Sequence, residues 1–520
     1  MRKRHLAAVS VLLALVGGAC GSRVDDRGAA TGAVSQDSSA LAAPGAGGPG
    51  TGATAETPVP GASATAAPSA GTATLPAASG AAAPSAAASP RAASSVGASK
   101  TSAAAAQSQA PAAQAAPASQ KPTTAGTPSP GAPTPGAVPG LARSGDGSPV
   151  AIGWIGTQSG TLGAVGRGMP AAVRAWVQDA NSRGGLNGHP IKLVMVDDGG
   201  DPNRSVALAR RMIEQDGVLA FLGTFAPTTL QALVPLLEEK QVPVISTCGC
   251  SPAEDSSEMV FPIGPSGDTG QSWAQITPML KGNVAPEKLQ KVGLIYCREV
   301  PSCPHIRELI RSYQGPAGFK LVWEAQASIA APDFTAEMIS ARNAGVEALT
   351  MVMDNSSVVR IERSAKQQGY APQFVNQQSG HEDRVIKDGR DDVEGHLTAA
   401  TTLPWDSHPK MADFRAAMDK YQPNEVKGSW GAQAYVSGLL LEKMARSFSP
   451  KPTSADVLNG LWSLRGETVD GRLPPISYVK GQKNHGNVNL CIVPVRITKG
   501  KFVPTQGDEF SCAPGWKPAA

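Results

Sequence analysis

Aromatic residues, clustered charge and long apolar segments are all scarce in this sequence of 520 residues. Phe, Trp and Tyr make up 5% of the chain, and none of them lies between residues 21 and 143. Lys and Arg are not clustered beyond the first few residues, and the formal net charge is only +4. A chain without a basic patch lacks the electrostatic footprint of nucleic-acid binding, so this class of function is excluded.

Motifs of covalent catalysis and of zinc binding are also missing. The sequence has no GxSxG nucleophile motif and no CxxC pair. The histidines beyond residue 300 are scattered: His305, His381, His396, His408 and His485. The adjacent Asp197 and Asp198 end a predicted strand, where side-chain alternation would point their carboxylates in opposite directions. The sequence therefore predicts no enzyme, no metal site and no cofactor.

The N-terminus is organised like a secretory signal peptide. Positively charged residues 2–4 precede an apolar run at 6–16, which is too short to span a bilayer in the mature protein. Small residues then lead directly to Cys20, which resembles the lipobox of bacterial lipoproteins, although Gly17 stands where that motif usually has Leu. The resemblance implies a signal peptide at 1–20 and lipidation of Cys20; an ordinary cleaved signal with Cys20 as a bystander is the alternative. Either interpretation predicts an extracytoplasmic chain, and lipidation would anchor it to the cell membrane.

Residues 21–145 consist almost entirely of Ala, Pro, Ser, Gly and Thr. Such a segment cannot bury enough apolar surface to offset its ordering entropy, so we expect a disordered linker that tethers the rest of the chain. A low-complexity segment whose length is not under selection explains this composition equally well. Residues 146–520 carry every tryptophan and exceed the usual length of one hydrophobic core, so two lobes are expected.

Predicted strands and helices alternate through residues 146–520 in two successive series. The first runs from a strand at 151–155 to a strand at 243–246, and the second runs from a strand at 292–296 to a helix at 357–368. This alternation predicts an α/β fold of two Rossmann-like lobes, each a parallel sheet covered by helices. Ligands bind such sheets beyond the carboxyl ends of their strands, so the hinged lobes should enclose a cleft.

The cysteines beyond the signal peptide are even in number, which indicates disulfides in an exported chain. They are Cys248, Cys250, Cys297, Cys303, Cys491 and Cys512. Short loops favour the pairs Cys297–Cys303 and Cys491–Cys512. Cys248 and Cys250 are left as either a strained pair or two free thiols.

Several segments, in this order along the chain, resemble landmarks of the leucine/isoleucine/valine-binding family, the type I periplasmic binding proteins of ABC transporters. They are residues 156–160, 181–188, 197–202, 393–395, 430–435 and 497–502. The resemblance covers 148–505 and implies crossings between lobes near Gly264, Thr398 and Pro475. The first lobe would then comprise about 146–265 and 399–475, and the second about 266–398 and 476–520.

The resemblance also implies a function. It predicts a monomeric binding protein that delivers a small polar solute, amino-acid-like or related, to an ABC permease in the membrane. A ligand-sensing receptor of the same fold without a dedicated importer is the alternative.

The same resemblance suggests which residues contact the solute. The loops at the ends of the first-lobe strands would contribute Ser159, Thr228, Thr229, Ser246 and Thr247. Free N–H groups and the positive end of the helix dipole suit an anionic or strongly polar group at a helix start. Thr228 and Thr229 could instead serve only as helix caps.

Two departures from the family pattern concern charge. Gln378 stands where the family commonly has the glutamate that pairs with the ligand's ammonium group. Asp354 and Asn355 stand where it has an aromatic residue, and Asp354 could replace the missing negative charge. We therefore expect leucine, isoleucine and valine to bind more weakly than an uncharged or anionic polar solute, because a neutral amide cannot pair an ammonium.

The lipobox generates a direct prediction. Cys20→Ala removes the thiol that would be diacylated, so the substituted protein should appear in the medium instead of the membrane fraction. Fractionation of cells that express each form would test this. Retention of the Cys20→Ala protein in membranes would contradict the lipoprotein interpretation.

Overall fold

The computed structural model of the protein describes residues 147–265, 267–280, 282–482, 485, 489–514 and 516–517. The expected signal peptide with Cys20 and the expected linker at 21–145 lie outside the described residues. Within the described part, no helix is both long and apolar enough to cross a membrane.

The first lobe is built on a parallel sheet, which in the described part of the chain has five strands in the order β2-β1-β3-β4-β5. The strands are β1 (Val150–Gly156), β2 (Ile191–Asp197), β3 (Val218–Thr224), β4 (Val244–Thr247) and β5 (Val260–Phe261). The intervening helices are α1 (Gly160–Val165), α2 (Gly168–Ser182), α3 (Pro202–Glu214), α4 (Leu230–Lys240) and α5 (Ala253–Ser256). Strand β1 is buried along its whole length, as expected for a strand covered on both faces.

The second lobe contains a larger, mixed sheet, whose described strands follow the order β12-β11-β10-β9-β8-β6-β7 with β13 paired to β11. The strands are β6 (Val292–Cys297), β7 (Leu321–Ala327), β8 (Ala348–Val352), β9 (Gln373–Asn376), β10 (Leu397–Ala400), β11 (Cys491–Thr498), β12 (Lys501–Pro504) and β13 (Ser511–Cys512). Its helices are α6 (Gly267–Ile276), α7 (Pro286–Leu289), α8 (Ser302–Ser312), α9 (Gln314–Ala317), α10 (Thr335–Asn343), α11 (Asn355–Gln367) and α12 (Asp383–Gly389). The predicted α/β fold class with two sheet-based lobes is confirmed.

The alternation of strands and helices did not predict the antiparallel edge of the second sheet. Strand β11 runs antiparallel to β10 and forms a hairpin with β12. The two-residue connection has positive φ at both positions, 53° at Lys499 and 67° at Gly500, as a tight hairpin turn requires. A hairpin needs no crossover helix, so it leaves no alternation to detect.

The chain returns to the first lobe after β10 through α13 (Ala412–Tyr421), α14 (Ser429–Ala445) and α15 (Ser454–Trp462). Helix α14 packs against α2 and β3 of the first lobe. Short 3-10 helices occupy Thr277–Met279, Gln378–Gly380, Arg390–Val393 and Pro409–Met411.

Tyr478 and His485 still contact the first lobe. The Tyr478 hydroxyl donates to the Pro262 carbonyl at 2.7 Å, and the His485 ring stacks on Phe261 with centroids 4.7 Å apart. The third crossing between lobes therefore lies after His485 and not near Pro475, where the family resemblance placed it. The sequence pattern does not predict this stacked pair of rings or the apolar surface that it buries.

Local sequence signals explain where helices begin. Asp201 precedes Pro202 at the start of α3, and its Oδ1 accepts the N–H groups of Asn203 at 2.8 Å and Arg204 at 3.1 Å. These bonds satisfy two donors that have no partner inside the helix, while proline at the first turn loses nothing by lacking an N–H.

Three disulfides are present among the described residues. Cys297–Cys303 joins the end of β6 to α8, and Cys491–Cys512 joins β11 to β13. Cys248 and Cys250 are bonded to each other and are not free thiols. All three bonds restrain loops or edges of the two sheets.

The contact between α14 and α2 depends on a glycine. A Cβ added at Gly438 would lie 2.3 Å from Cδ2 of Trp176, whose indole N–H is held by Glu442 at 2.8 Å. Gly438→Ala should therefore destabilise the protein by about 1–3 kcal/mol through overpacking. Urea unfolding of both proteins would measure the loss.

Gly315→Ala is the matched control, because an added Cβ at Gly315 meets nothing within 4 Å and φ is not positive there. It should be neutral or slightly stabilising, since alanine lowers the entropy of the unfolded chain. Equal effects of the two substitutions would show that close packing at Gly438 is not responsible.

Candidate functional site

A cavity lies between the lobes, beyond the carboxyl ends of both sheets. The first lobe lines it with Leu162, Val165, Phe225, Pro227, Cys248, Gly249, Cys250 and Trp430. The second lobe lines it with Gln271, Gln275, Cys297, Val300, Ser302, Cys303, Ile306, Ile329, Val352, Met353, Asp354 and Gln377. This position is typical of a site for a small molecule.

The lining of this cavity is mainly apolar. Aliphatic and aromatic side chains form most of the wall, and two disulfides, Cys248–Cys250 and Cys297–Cys303, contribute sulfur atoms from opposite lobes. Asp354 is the one ionisable side chain among the described lining residues. The cavity therefore suits a solute that buries a substantial apolar surface.

Thr228 and Thr229 do not line the cavity. The Thr229 hydroxyl donates to Oδ2 of the buried Asp198 at 2.7 Å, and the Thr228 hydroxyl donates to the Gly200 carbonyl at 3.2 Å. Asp198 also accepts the Thr157 hydroxyl at 2.9 Å. A buried carboxylate needs such donors, and this need occupies the Thr229 hydroxyl that the sequence assigned to the solute. Thr229 makes no side-chain cap bond either.

Ser159 is exposed and lies outside the lining. Its N–H donates to Oδ1 of Asp197 at 3.4 Å, and the same oxygen accepts the N–H of Gln158 at 2.8 Å and of Gly199 at 2.9 Å. Burial opposes ionisation of Asp197, but these N–H groups outweigh it and lower the pKa of the carboxyl. The two aspartates thus fix the loops that follow β1 and β2, and neither lines the cavity.

Ser246 and Thr247 lie behind the lining. Both are fully buried at the end of β4, and the side-chain amide of Gln433 donates to the Ser246 hydroxyl and to the Thr247 carbonyl, each at 3.3 Å. The next residues, Cys248 to Cys250, reach the cavity instead.

Asp354 lines the cavity, as its role in the sequence interpretation requires. Its carboxylate also caps α11, because it accepts the N–H of Ser356 at 3.0 Å and of Ser357 at 3.3 Å and the hydroxyl of Ser357. Asn355 is buried away from the lining, and its side-chain amide donates to Glu382 at 2.6 Å.

Gln378 is fully buried and joins the two lobes. Its Nε2 donates to the Cys248 carbonyl at 3.1 Å, while its neighbour Gln377 lines the cavity. The residue that the sequence interpretation selected therefore lies one position away from a lining residue.

Glu254 connects the Cys248–Cys250 loop to the start of α6. Its two carboxylate oxygens accept the N–H of Cys250 at 3.1 Å and of Gly267 at 2.9 Å. Burial raises the pKa of Glu254 to about 7. Helix α6 carries Gln271 and Gln275, so this carboxyl positions two elements of the lining.

The sequence interpretation missed several lining residues that belong to helices. Gln271 and Gln275 stand four residues apart on α6, and Trp430 lies in the first turn of α14. A spacing of four places two side chains on one face of a helix, but that signal alone does not say whether the face meets a cavity or a core.

Glu382 lies where the lobes meet and was also missed. It is 1% exposed, pairs through its backbone with Gly428, and keeps Oε1 without a hydrogen-bond partner in the part of the chain that is described. A Cβ at Gly428 would lie 2.4 Å from its Cγ, so the backbones approach closely. Burial raises the pKa of Glu382 to about 8.

Comparison with known sequences gives a consistent relationship. Residues 149–501 match the sequence model of the family described as "Periplasmic binding protein". An "Amino acid binding protein" of Pseudomonas aeruginosa is 22% identical over 276 residues, which cover 52% of this chain and 71% of that protein. A "Leu/Ile/Val-binding protein" of Escherichia coli is 24% identical over 103 residues, 20% of this chain and 28% of that protein.

Solved structures share the fold. The branched-chain amino acid transporter substrate binding protein of Streptococcus pneumoniae, in complex with isoleucine, has a TM-score of 0.57 and 16% identity over 70% of this chain and 100% of that one. A fatty acid ABC transporter substrate-binding protein from Thermomonospora curvata has a TM-score of 0.59 and 16% identity over 71% of this chain and 94% of that one. At such identities the likeness concerns the fold alone.

The burial of Glu382 predicts a pH dependence. The folded protein holds the proton up to about pH 8, whereas the unfolded chain loses it near the ordinary value of 4.5. The contribution of this proton to the free energy of unfolding is therefore complete below about pH 4.5. It falls by about 1.4 kcal/mol per pH unit as the pH rises from there, and it is lost as the pH passes through about 8. Glu382→Gln has no proton to lose and should flatten the dependence by about that slope.

Unfolding free energies measured from pH 5 to 8 would check this prediction. Glu287→Gln is the control, because Glu287 is exposed in the first turn of α7 and its replacement should leave the slope unchanged. An unchanged slope in Glu382→Gln would show that the folded state does not keep this carboxyl protonated.

Proposed function

The chain belongs to the periplasmic binding protein family, and from this membership we propose that it is a lipid-anchored binding protein that delivers a small solute to an ABC importer. The family and the fold are those of extracytoplasmic solute-binding proteins and not of enzymes. The observation that carries the proposal is the cavity between the lobes, whose wall comes from the strand-end loops of both sheets.

A solute in this cavity would contact both lobes at once and therefore favour their closed arrangement. Two hydrogen bonds between the lobes support such closure. Gln378 donates to the Cys248 carbonyl at 3.1 Å, and Arg384 Nη1 of α12 donates to the Ala164 carbonyl of α1 at 3.1 Å. Closure changes the outer surface of the molecule, which is the signal that a permease can read.

The solute is amino-acid-like or related in this proposal. The relatives named for amino acids, and the neighbour bound to isoleucine, support a small molecule of that size. The apolar lining changes one expectation from the sequence, because it suits a solute with an apolar body better than a wholly polar one.

The remaining parts of the proposal concern the membrane. Lipidated Cys20 would hold the protein at the cell surface, and the linker at 21–145 would let the binding domain reach the permease as a monomer. A ligand-sensing receptor with the same fold remains the second candidate, supported by the same cavity.

A substitution that fills the cavity tests the proposal. Val300 is a partly buried residue of the lining, so Val300→Trp should occupy the space and remove the thermal stabilisation that a bound solute provides. The stabilising solute would first be found in a thermal-shift screen of small metabolites. Cells without the gene should then lose uptake of that solute, and the wild-type gene alone should restore it.

Val322→Trp is the matched control. Val322 is 37% exposed on the edge strand β7 and does not line the cavity, so its replacement should retain solute binding and uptake. Binding that survives in Val300→Trp would contradict the assignment of the cavity. Normal uptake in cells without the gene would favour the sensing receptor.

A further inference from the structure

Three residues of the cavity lining each carry a buried polar atom that has no hydrogen-bond partner among the described residues. The atoms are Nε1 of Trp430, Oγ of Ser302 and Oε1 of Gln275. The three residues are 5%, 1% and 0% exposed. Buried polar atoms without partners are rare in native proteins, and a site that hydrogen-bonds its ligand leaves such atoms unpaired when it is empty.

The three atoms come from both lobes. Trp430 lies at the start of α14 in the first lobe, whereas Ser302 begins α8 and Gln275 lies in α6 of the second lobe. Gln275 is held in place, since its Nε2 donates to the Thr350 hydroxyl and to the Met351 carbonyl, each at 2.8 Å. Both bonds are made by Nε2, so Oε1 is left to accept a hydrogen bond from another group.

The chemistry of these atoms is complementary to a neutral group. An indole N–H only donates, an amide oxygen only accepts, and a hydroxyl can do either. A carboxamide matches this set, because its carbonyl accepts from Trp430 and Ser302 while its NH₂ donates to Gln275. An ammonium would leave the Trp430 donor unpaired, and a carboxylate would leave the Gln275 acceptor unpaired.

Charge in the cavity supports the same class of ligand. The described lining contains no Lys, Arg or His, so a buried carboxylate would have no cationic partner. Asp354 already accepts three bonds from Ser356 and Ser357, which reduces its capacity to pair an ammonium. Burying a charge without a partner is strongly unfavourable.

We propose that the cavity binds an uncharged molecule with an apolar body and one carboxamide-like group, and that Trp430, Ser302 and Gln275 recognise this group. The apolar body would pack on Phe225 and Leu162 of the first lobe and on Val300 of the second. This inference rests on the proposed function, because it assigns the ligand class of the same cavity.

A set of four compounds with the same isobutyl group tests the ligand class. Isocaproamide is neutral, isocaproate is anionic, isoamylammonium is cationic and leucine is zwitterionic. Titration calorimetry of the full chain should give the amide at least about a tenfold lower Kd than each charged compound. An amide that fails to bind, or a charged compound that binds as tightly, would overturn the inference.

Variants test two of the three recognising atoms. Trp430→Phe removes the indole N–H and keeps an aromatic ring, and Ser302→Ala removes the hydroxyl. Each should weaken amide binding by about three- to tenfold, the amount expected for one hydrogen bond between neutral groups. An unchanged affinity in both variants would also overturn the inference.

Controls with the same chemical change lie away from the cavity. Trp323→Phe removes an indole N–H that donates to Ser340 on the edge of the second lobe, and Ser312→Ala removes a hydroxyl that donates to the Leu309 carbonyl at the far end of α8. Both should bind the amide like the wild type. If leucine binds more tightly than the amide, the inference fails and the proposed function stands. The proposed function itself fails when no solute of the thermal-shift screen binds.

Discussion

The packing of α14 against α2 and β3 is the contact on which both the first lobe and the cavity depend. Gly431 and Gly438 of α14 allow the close approach, since added Cβ atoms would lie 3.0 Å from the Gly168 carbonyl and 2.3 Å from the Trp176 ring. The helix belongs to a chain segment that has already passed through the second lobe. Its first turn carries Trp430 to the cavity, and the Ser429 hydroxyl lies 2.8 Å from Nδ1 of His381. A shift of this helix would therefore move the cavity wall as well as the core.

Buried carboxyls organise the loops around the cavity. Asp198 accepts the hydroxyls of Thr157, Ser205 and Thr229. Glu254 holds the Cys248–Cys250 loop to α6. Glu382 lies at the contact between the lobes. Burial raises the pKa of Glu254 to about 7 and that of Glu382 to about 8, so at neutral pH Glu382 favours its neutral, protonated form. Polar chemistry here serves to fix loop positions, while the wall that faces the cavity is mainly apolar.

A mainly apolar cavity with a few unpaired polar atoms can provide a binding protein with both affinity and selectivity. Apolar contact supplies a favourable but non-directional contribution to binding, and the polar atoms discriminate between solutes through the cost of leaving them unpaired. The disulfides Cys248–Cys250 and Cys297–Cys303 restrain the loops that face each other across this space. Such restraint reduces the entropy that the loops would lose when a solute binds.

Local sequence determined the alternating strands and helices at the centre of both lobes, because these elements show their own periodicity and some helix starts carry their own signal, as at Asp201 and Pro202. The ordered landmarks likewise determined the family. Tertiary structure alone decided which polar side chains are available to a solute. The Thr229 hydroxyl already donates to Asp198, whereas the indole N–H of Trp430 remains unpaired among the described residues. Both partners of such a bond lie far apart in the chain, so no local pattern reports whether a given donor is already occupied.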